Sequence, residues 1–349
     1  MSPIDRTDGK AFPLVASNGR VHTGIFKDPV TDINYRDFKL RTAMGKPANA
    51  FRRWFGFNQF QFCSVISDDI IVGAAIAHPR LATVSFAYFY QPKTASLFRY
   101  NLKTLPMGNS VSLSQQPYAG EWHFKLGHYH CRMGYDADTA ERRFLLNTKD
   151  GAEADIRFSE RGFEPMRICT PADMTGFAFT QKMGGIAARG HIKHPKLGEF
   201  DLEQCRATAT MDWTAGYLRR RAFWNWTCLS GILPDGRHVG VNGACGVNET
   251  SFTENCFWID GKMHKVDSLK FDYDPEDLFK PWHITSYDGK LDLHFTPQHT
   301  MDERNNFIIM ASAFDQMFGQ YQGQLRTDSG EVITIDGLHG FTEEHYSKW

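Results

Sequence analysis

At 349 residues the chain exceeds ordinary single-domain length, so two domains or one large β architecture are the starting expectation. Its 39 basic and 40 acidic residues nearly cancel, and no Lys/Arg run is long enough to track phosphates or cover anionic lipid, which sets nucleic acid and charged membranes aside as primary partners. No stretch approaches the roughly 20 apolar residues that span a bilayer, and the polar start MSPIDRTDGKAFPL lacks a signal-peptide layout, so a soluble, cytoplasmic protein is expected.

Aromatic residues make up 14% of the chain, and apolar residues fall in short alternating runs that favour strands. In chain order the alternation predicts strands at 59–67, 70–77, 83–90, 121–130, 142–147, 154–158, 176–182, 207–212, 238–242, 252–258, 291–296 and 306–313. Asp150-Gly151, Asp235-Gly236, Asp260-Gly261, Asp288-Gly289 and Ser329-Gly330 separate such runs and read as hairpin turns. Helices are expected only at 49–54 and 275–278. The glycine-rich, polar stretch 183–200 reads as a long surface connection over an opening. So many strands hide their edges only by closing or stacking, which predicts an all-β protein of two antiparallel barrels or half-barrels with few short helices. The turn-rich stretch 161–175 places the seam, giving domains 1–170 and 171–349.

Seven scattered cysteines with no C-x-x-C spacing suggest reduced core residues. His128 and His130 would share a strand face, but the surrounding residues do not complete a cupin-type ligand set, so no metal is expected. No nucleophile elbow is present, and the glycines of GVNGACG (240–246) open no helix, so they are read as close packing of a strand on its neighbour and no cofactor is expected.

The stretch 207–258 offers more chemistry. Thr208, Thr210 and Asp212 share a polar face opposite Ala207, Ala209, Met211 and Trp213. Trp224, Trp226 and Cys228 share one face, forming either an apolar wall for a ligand or ordinary core. Phe252, Glu254, Cys256 and Trp258 fall on one side of a strand and Asn255 on the other, so at most one of Glu254 and Asn255 can face a cavity. Glu254 among aromatic neighbours would have its pKa raised by desolvation and could act as a general acid, unless it is paired with an arginine such as Arg219, Arg220 or Arg221.

The strings FTQKM (179–183), MDWTAGY (211–217), FWNWTCLSGILPDGRHVGVN, TENCFWIDG, PWHITSYDGKLDLHFTPQ, FGQYQGQL (318–325) and GFTEEHYSKW resemble the DUF2804 family. The N-terminal half resembles it more loosely, through Gly24 with Asn34 and KPANAFRRWFGF. A more distant similarity, of fold expectation, is to lipocalin-like (calycin-type) two-domain proteins: hydroxyneurosporene-type carotenoid hydratases, tocopherol cyclases and AttH-like proteins. That similarity implies a hydrophobic, isoprenoid- or polyketide-like ligand in a barrel without metal or nucleotide, and it transfers no active-site residue.

The combined expectation is a barrel cavity, carried by the C-terminal domain, that binds a lipid-like or isoprenoid-like molecule. Any catalysis there would be cofactor-free hydration, isomerisation or cyclisation. Glu254 or Asp212 would donate the proton, Tyr217 and Asn255 would orient polar groups, and Trp224, Trp226, Trp258 and Trp282 would form the walls. Two other readings are a non-catalytic lipid carrier or sensor, and a carbohydrate-active β-sandwich using Asp212 and Glu254. A homodimer is left open.

Overall fold

The computed structural model describes residues 10–80, 82–105, 110–172, 175–247, 252–307 and 310–348. The alternating sequence produces three large antiparallel sheets and one six-residue helix, Ala50–Phe55. A seven-stranded sheet runs from Val111–Ser112 to Gly198–Asp201, and an eight-stranded sheet contains Asn58–Ile66, Gly176–Ala187 and Thr208–Gly216 at its centre. They enclose a shared core that includes Trp122, Phe124, Phe144, Phe179 and Trp213. All nine strands from Arg221–Ile232 to Val332–Lys348 form the third sheet, whose concave side is filled by Phe257, Trp282, Phe295, Tyr321 and their neighbours. Among the described residues, sheet membership therefore changes between Gly216 and Arg221, and strands in 171–216 pair within the first two sheets.

The second face of the eight-stranded sheet packs against the convex face of the nine-stranded one. Phe62, Ile66, Ile71, Ala75, Tyr88 and Tyr90 on one side meet Trp226, Cys228, Met301, Phe318 and Phe341 on the other. The two backbones touch at Gly184-Gly185 and Gly240. A Cβ on Gly240 would lie 2.1 Å from the Gly184 carbonyl carbon, and one on Gly185, at φ +77°, 2.6 Å from that of Val239. The close-packing role read for the 240–246 glycines is met at Gly240.

All five expected hairpin turns join consecutive strands. The Ala50–Phe55 helix starts where Asn49 accepts the Arg52 N–H. Residues 275–278 are turns and not a helix, because Asp274 and Asp277 side chains capture the N–H groups of Glu276 and Phe279. The stretch 183–200 is also not a loop. It continues the strand Gly176–Ala187 through a bulge at Gly184-Gly185, then forms Arg189–His194 and Gly198–Asp201. His128 sits in a turn, so it does not share a face with His130; His130 instead lies edge-on to His123 at 4.7 Å. No disulfide links any of the seven cysteines, and Cys205 and Cys245 are partly exposed. No helix among the described residues is long and apolar enough to cross a membrane.

Candidate functional site

Charged residues enter the apolar layer between the two sheets at one place. Lys182, Asp212 and Phe62 are cross-strand partners in the eight-stranded sheet and share the face turned to the nine-stranded sheet. From the opposite sheet, Trp226 and Glu343 are direct partners on neighbouring strands, with Gln316 beside Glu343. Lys182 Nζ lies 2.7 Å from Asp212 Oδ2 and 3.0 Å from Glu254 Oε1, and 5.1 Å from the centre of the Trp226 ring. One ammonium thus ties a carboxylate of the eight-stranded sheet to one on the segment that leads into Cys256–Ile259, under an indole face.

The surroundings fix these groups. Asp212 Oδ1 accepts the Thr214 hydroxyl at 3.0 Å. Trp226 Nε1 donates to Asn242 Oδ1 at 2.8 Å, and Asn242 Nδ2 donates to the Glu254 carbonyl at 3.0 Å. The expected strand 252–258 begins only at Cys256. Its first part is held by side chains, because Lys265 Nζ donates to the carbonyls of Thr253 and Asn255 at 2.7 and 2.6 Å. Burial lowers Lys265 to about 8. The orientation question resolves in one direction: Glu254 faces the inter-sheet layer, whereas Asn255 turns away to accept the Ala244 N–H and donate to the Asp267 carbonyl. Glu254 pairs with Lys182, a cation that the arginine alternative did not include.

Burial works against the Lys182 ammonium, but Asp212 and Glu254 outweigh it and raise its pKa. Burial raises Asp212, with Lys182 opposing. Glu343, nearly enclosed, is pushed up by burial to about 8; Lys182 opposes this and Asp212 adds to it. Glu343 is therefore mostly protonated at pH 7, and close enough to Lys182 and Asp212 to feel both. Beside it Gln316 Nε2 donates to the buried Tyr88 hydroxyl at 3.1 Å, and Gln316 Oε1 is buried without a partner. Phe60, Phe86, Trp224 and Phe314 form a partly buried apolar rim around this layer.

Of the residues predicted for the site, the structure brings together Glu254, Asp212 and Trp226. Trp258 lies farther along the same layer, donating to the Glu164 carbonyl and packing on Gly184. Trp224 lies tilted against His345 at the rim, their ring centres 4.1 Å apart. Tyr217 does not join them: it belongs to the first core and donates to the Arg53 carbonyl. Trp282 is enclosed in the nine-stranded sheet's concave side, stacked on Tyr273 at 3.9 Å. The expected site was a barrel cavity in the C-terminal domain; the inner side of the nine-stranded sheet is packed with side chains, and the ionisable cluster lies between the sheets.

Sequence reasoning missed Lys182 and Glu343. A usable signal existed for Glu343: in GFTEEHY, Phe341, Glu343 and His345 share a face, so one of two adjacent glutamates must turn inward if that face is covered. For metal ligation, the one group of three suitable side chains among the described residues is His283, Asp292 and His294, whose ligand atoms lie within 4.8 Å of one another on partly or fully exposed positions away from the cluster.

Solved structures share this architecture. CghA with Sch210972 matches with a TM-score of 0.54 at 10% identity, over 84% of this chain and 88% of that one. Kievitone hydratase from Nectria haematococca matches with a TM-score of 0.53 at 9% identity, over 83% and 88%. A putative AttH from Nitrosomonas europaea gives 0.48 at 9% identity, over 82% and 92%. At such identities the first two matches establish the fold and not the chemistry, and the expected all-β, lipocalin-like architecture holds. A search of curated proteins finds no match. Across residues 6–349 the sequence matches the family described as Domain of unknown function (DUF2804), and the chain belongs to that family.

Proposed function

We propose that this protein binds a hydrophobic, lipid-like or isoprenoid-like small molecule at the rim of the inter-sheet layer and transfers a proton to it without a cofactor. The observation that carries the reading is Glu343, a carboxyl with its pKa at about 8 beside a buried Lys182–Asp212–Glu254 trio and the Trp226 face. A buried acid poised near neutrality suits general acid catalysis. In the hydration form of the reaction, the Glu343 proton adds to one alkene carbon as the π bond breaks. The cation at the other carbon is stabilised by the Trp226 ring and the carboxylates, solvent water attacks it, and that water's proton returns to Glu343. Isomerisation follows if a neighbouring C–H proton is lost instead of water being added. Fold relatives that include a hydratase lend this reading support by analogy only.

In this reading the acid is Glu343 rather than the expected Glu254, because Glu254 is engaged by Lys182. The carbohydrate reading is not supported, since the Lys182 ammonium occupies the space between Asp212 and Glu254 where a sugar or water would sit. The carrier reading uses the same rim with no turnover. The test is incubation with isoprenoid alkenes in deuterated water, followed by mass spectrometry of the recovered ligand. Deuterium or water incorporation by wild type and its loss in Glu343→Gln are expected. Bound but unchanged ligand would leave a carrier, and no ligand bound by wild type would sink both readings.

A further inference from the structure

We propose that the corner formed by residues 36–56 docks on an anionic membrane surface. Nine large hydrophobic residues are conspicuously exposed among the described ones, and three of them fall within eleven residues: Met44 (81% exposed), Phe51 (68%) and Trp54 (47%). Phe51 and Trp54 are three apart on the short helix and therefore neighbours on its surface, and the Phe51 ring packs on Phe55 at 4.4 Å. Met44 tips the preceding turn, closed by the Thr42 N–H to the Lys46 carbonyl. Beneath the helix the buried Arg80 guanidinium lies 4.9 Å from the Trp54 ring centre, leaving the rest of that indole outward.

The same segment carries Arg36, Lys39, Arg41, Lys46, Arg52 and Arg53 against a single acid, Asp37. Among the described residues none of the six cations has an ion-pair partner. Arg41, Arg52 and Arg53 donate only to neutral oxygens, of Gly45, Thr175 and Arg36. Several surface arginines elsewhere are matched, as in Arg132–Glu121, Arg143–Asp155 and Arg189–Glu141. Unmatched cations around protruding apolar and aromatic tips are the combination that inserts at a headgroup boundary and is held there by anionic lipid. The near-zero net charge of the whole chain conceals this local excess.

The placement is also suggestive. The helix leads directly into the strand Asn58–Ile66, on which Phe62 is the cross-strand partner of Asp212. Four residues separate Asn58 from Phe62, about 14 Å along a strand, so a docked protein would hold that end of the inter-sheet layer near the bilayer. Docking itself does not depend on the acid chemistry proposed above.

The experiment is co-sedimentation of the full chain with phosphatidylcholine vesicles, with and without phosphatidylserine, at low and high salt. Wild type is expected to sediment only with the phosphatidylserine vesicles and to be released as salt shortens the screening length from about 10 Å at 0.1 M to about 3 Å at 1 M. Lys46→Gln with Arg52→Gln should weaken partition roughly 30-fold. Phe51→Ser with Trp54→Ser should abolish it while circular dichroism remains that of wild type. The proposal is overturned if wild type ignores anionic vesicles at low salt, if either folded variant binds as wild type does, or if single-stranded RNA is retained more tightly than vesicles. It is also overturned if the wild type ignores vesicles but forms dimers that the Phe51/Trp54 variant does not, which would assign this face to a second copy of the chain.

Discussion

Glu343→Gln tests the electrostatics of the inter-sheet layer without requiring a known ligand. The folded carboxyl titrates at about 8 against an ordinary value of 4.5. Below pH 4.5 it is protonated in both the folded and the unfolded chain and affects neither. Between those values unfolding releases a proton, so wild-type stability falls as pH rises, and above pH 8 the loss is complete. A displacement of this size corresponds to roughly 4–5 kcal/mol at one proton per 1.36 kcal/mol per pH unit. Glutamine keeps the shape and a neutral polar head but cannot ionise. The variant should therefore match wild type near pH 5 and exceed it by about 3–5 kcal/mol at pH 8.5, the lower end reflecting local relaxation. Urea unfolding at intervals from pH 5 to 9, followed by tryptophan fluorescence, reads the difference directly. A constant offset across that range would refute the raised pKa, and with it Glu343 as the neutral acid.

Three further outcomes follow from the same layer and its supports. Lys182→Met leaves Asp212 and Glu254 buried without their shared cation and should cost about 3–5 kcal/mol at pH 7.5; because burial already raises Asp212, its uptake of a proton relieves part of the repulsion, and unfolding at pH 5 should show a smaller loss. Gly240→Ala places a methyl 2.1 Å from a backbone carbon of Gly184, which cannot swing aside as a side chain would, so a loss of at least about 2 kcal/mol is expected in thermal or urea unfolding. Trp282→Ala empties part of the concave core and should cost about 3–5 kcal/mol, yet leave the pH dependence assigned to Glu343 unchanged.

What the sequence could and could not show has a physical basis. Hairpins such as Asp260-Gly261 are legible because the turn is local chemistry: Asp260 and Gly261 both take positive φ, at 48° and 78°, as a tight hairpin with right-handed twist demands. The side on which Glu254 falls is likewise local, since alternation persists through the irregular stretch before Cys256 and separates it from Asn255. Partnership is not local. Lys182 lies 72 residues from Glu254 and 30 from Asp212, and they meet only because two strands of one sheet pair and the other sheet packs over them. A lysine at the end of GFAFTQKM reads as a polar strand end until both faces of that strand are known to be covered.

The bulge at Gly184-Gly185 shows the same limit in reverse. Glycine content made 183–200 look like a surface connection, whereas Gly184 and Gly185 lie where the backbone of another sheet presses on them at Gly240 and Val239. The chain therefore spends its least ordinary residues where the two halves meet: glycines for contact, and Lys182, Asp212, Glu254 and Glu343 for charge. An interface needing adhesion alone would be served as well by apolar side chains, since replacing a buried ion pair with them is often neutral or stabilising. Keeping an ion trio and a neutral acid there favours chemistry at the seam over adhesion, and the pH dependence of Glu343→Gln is its first measurable consequence.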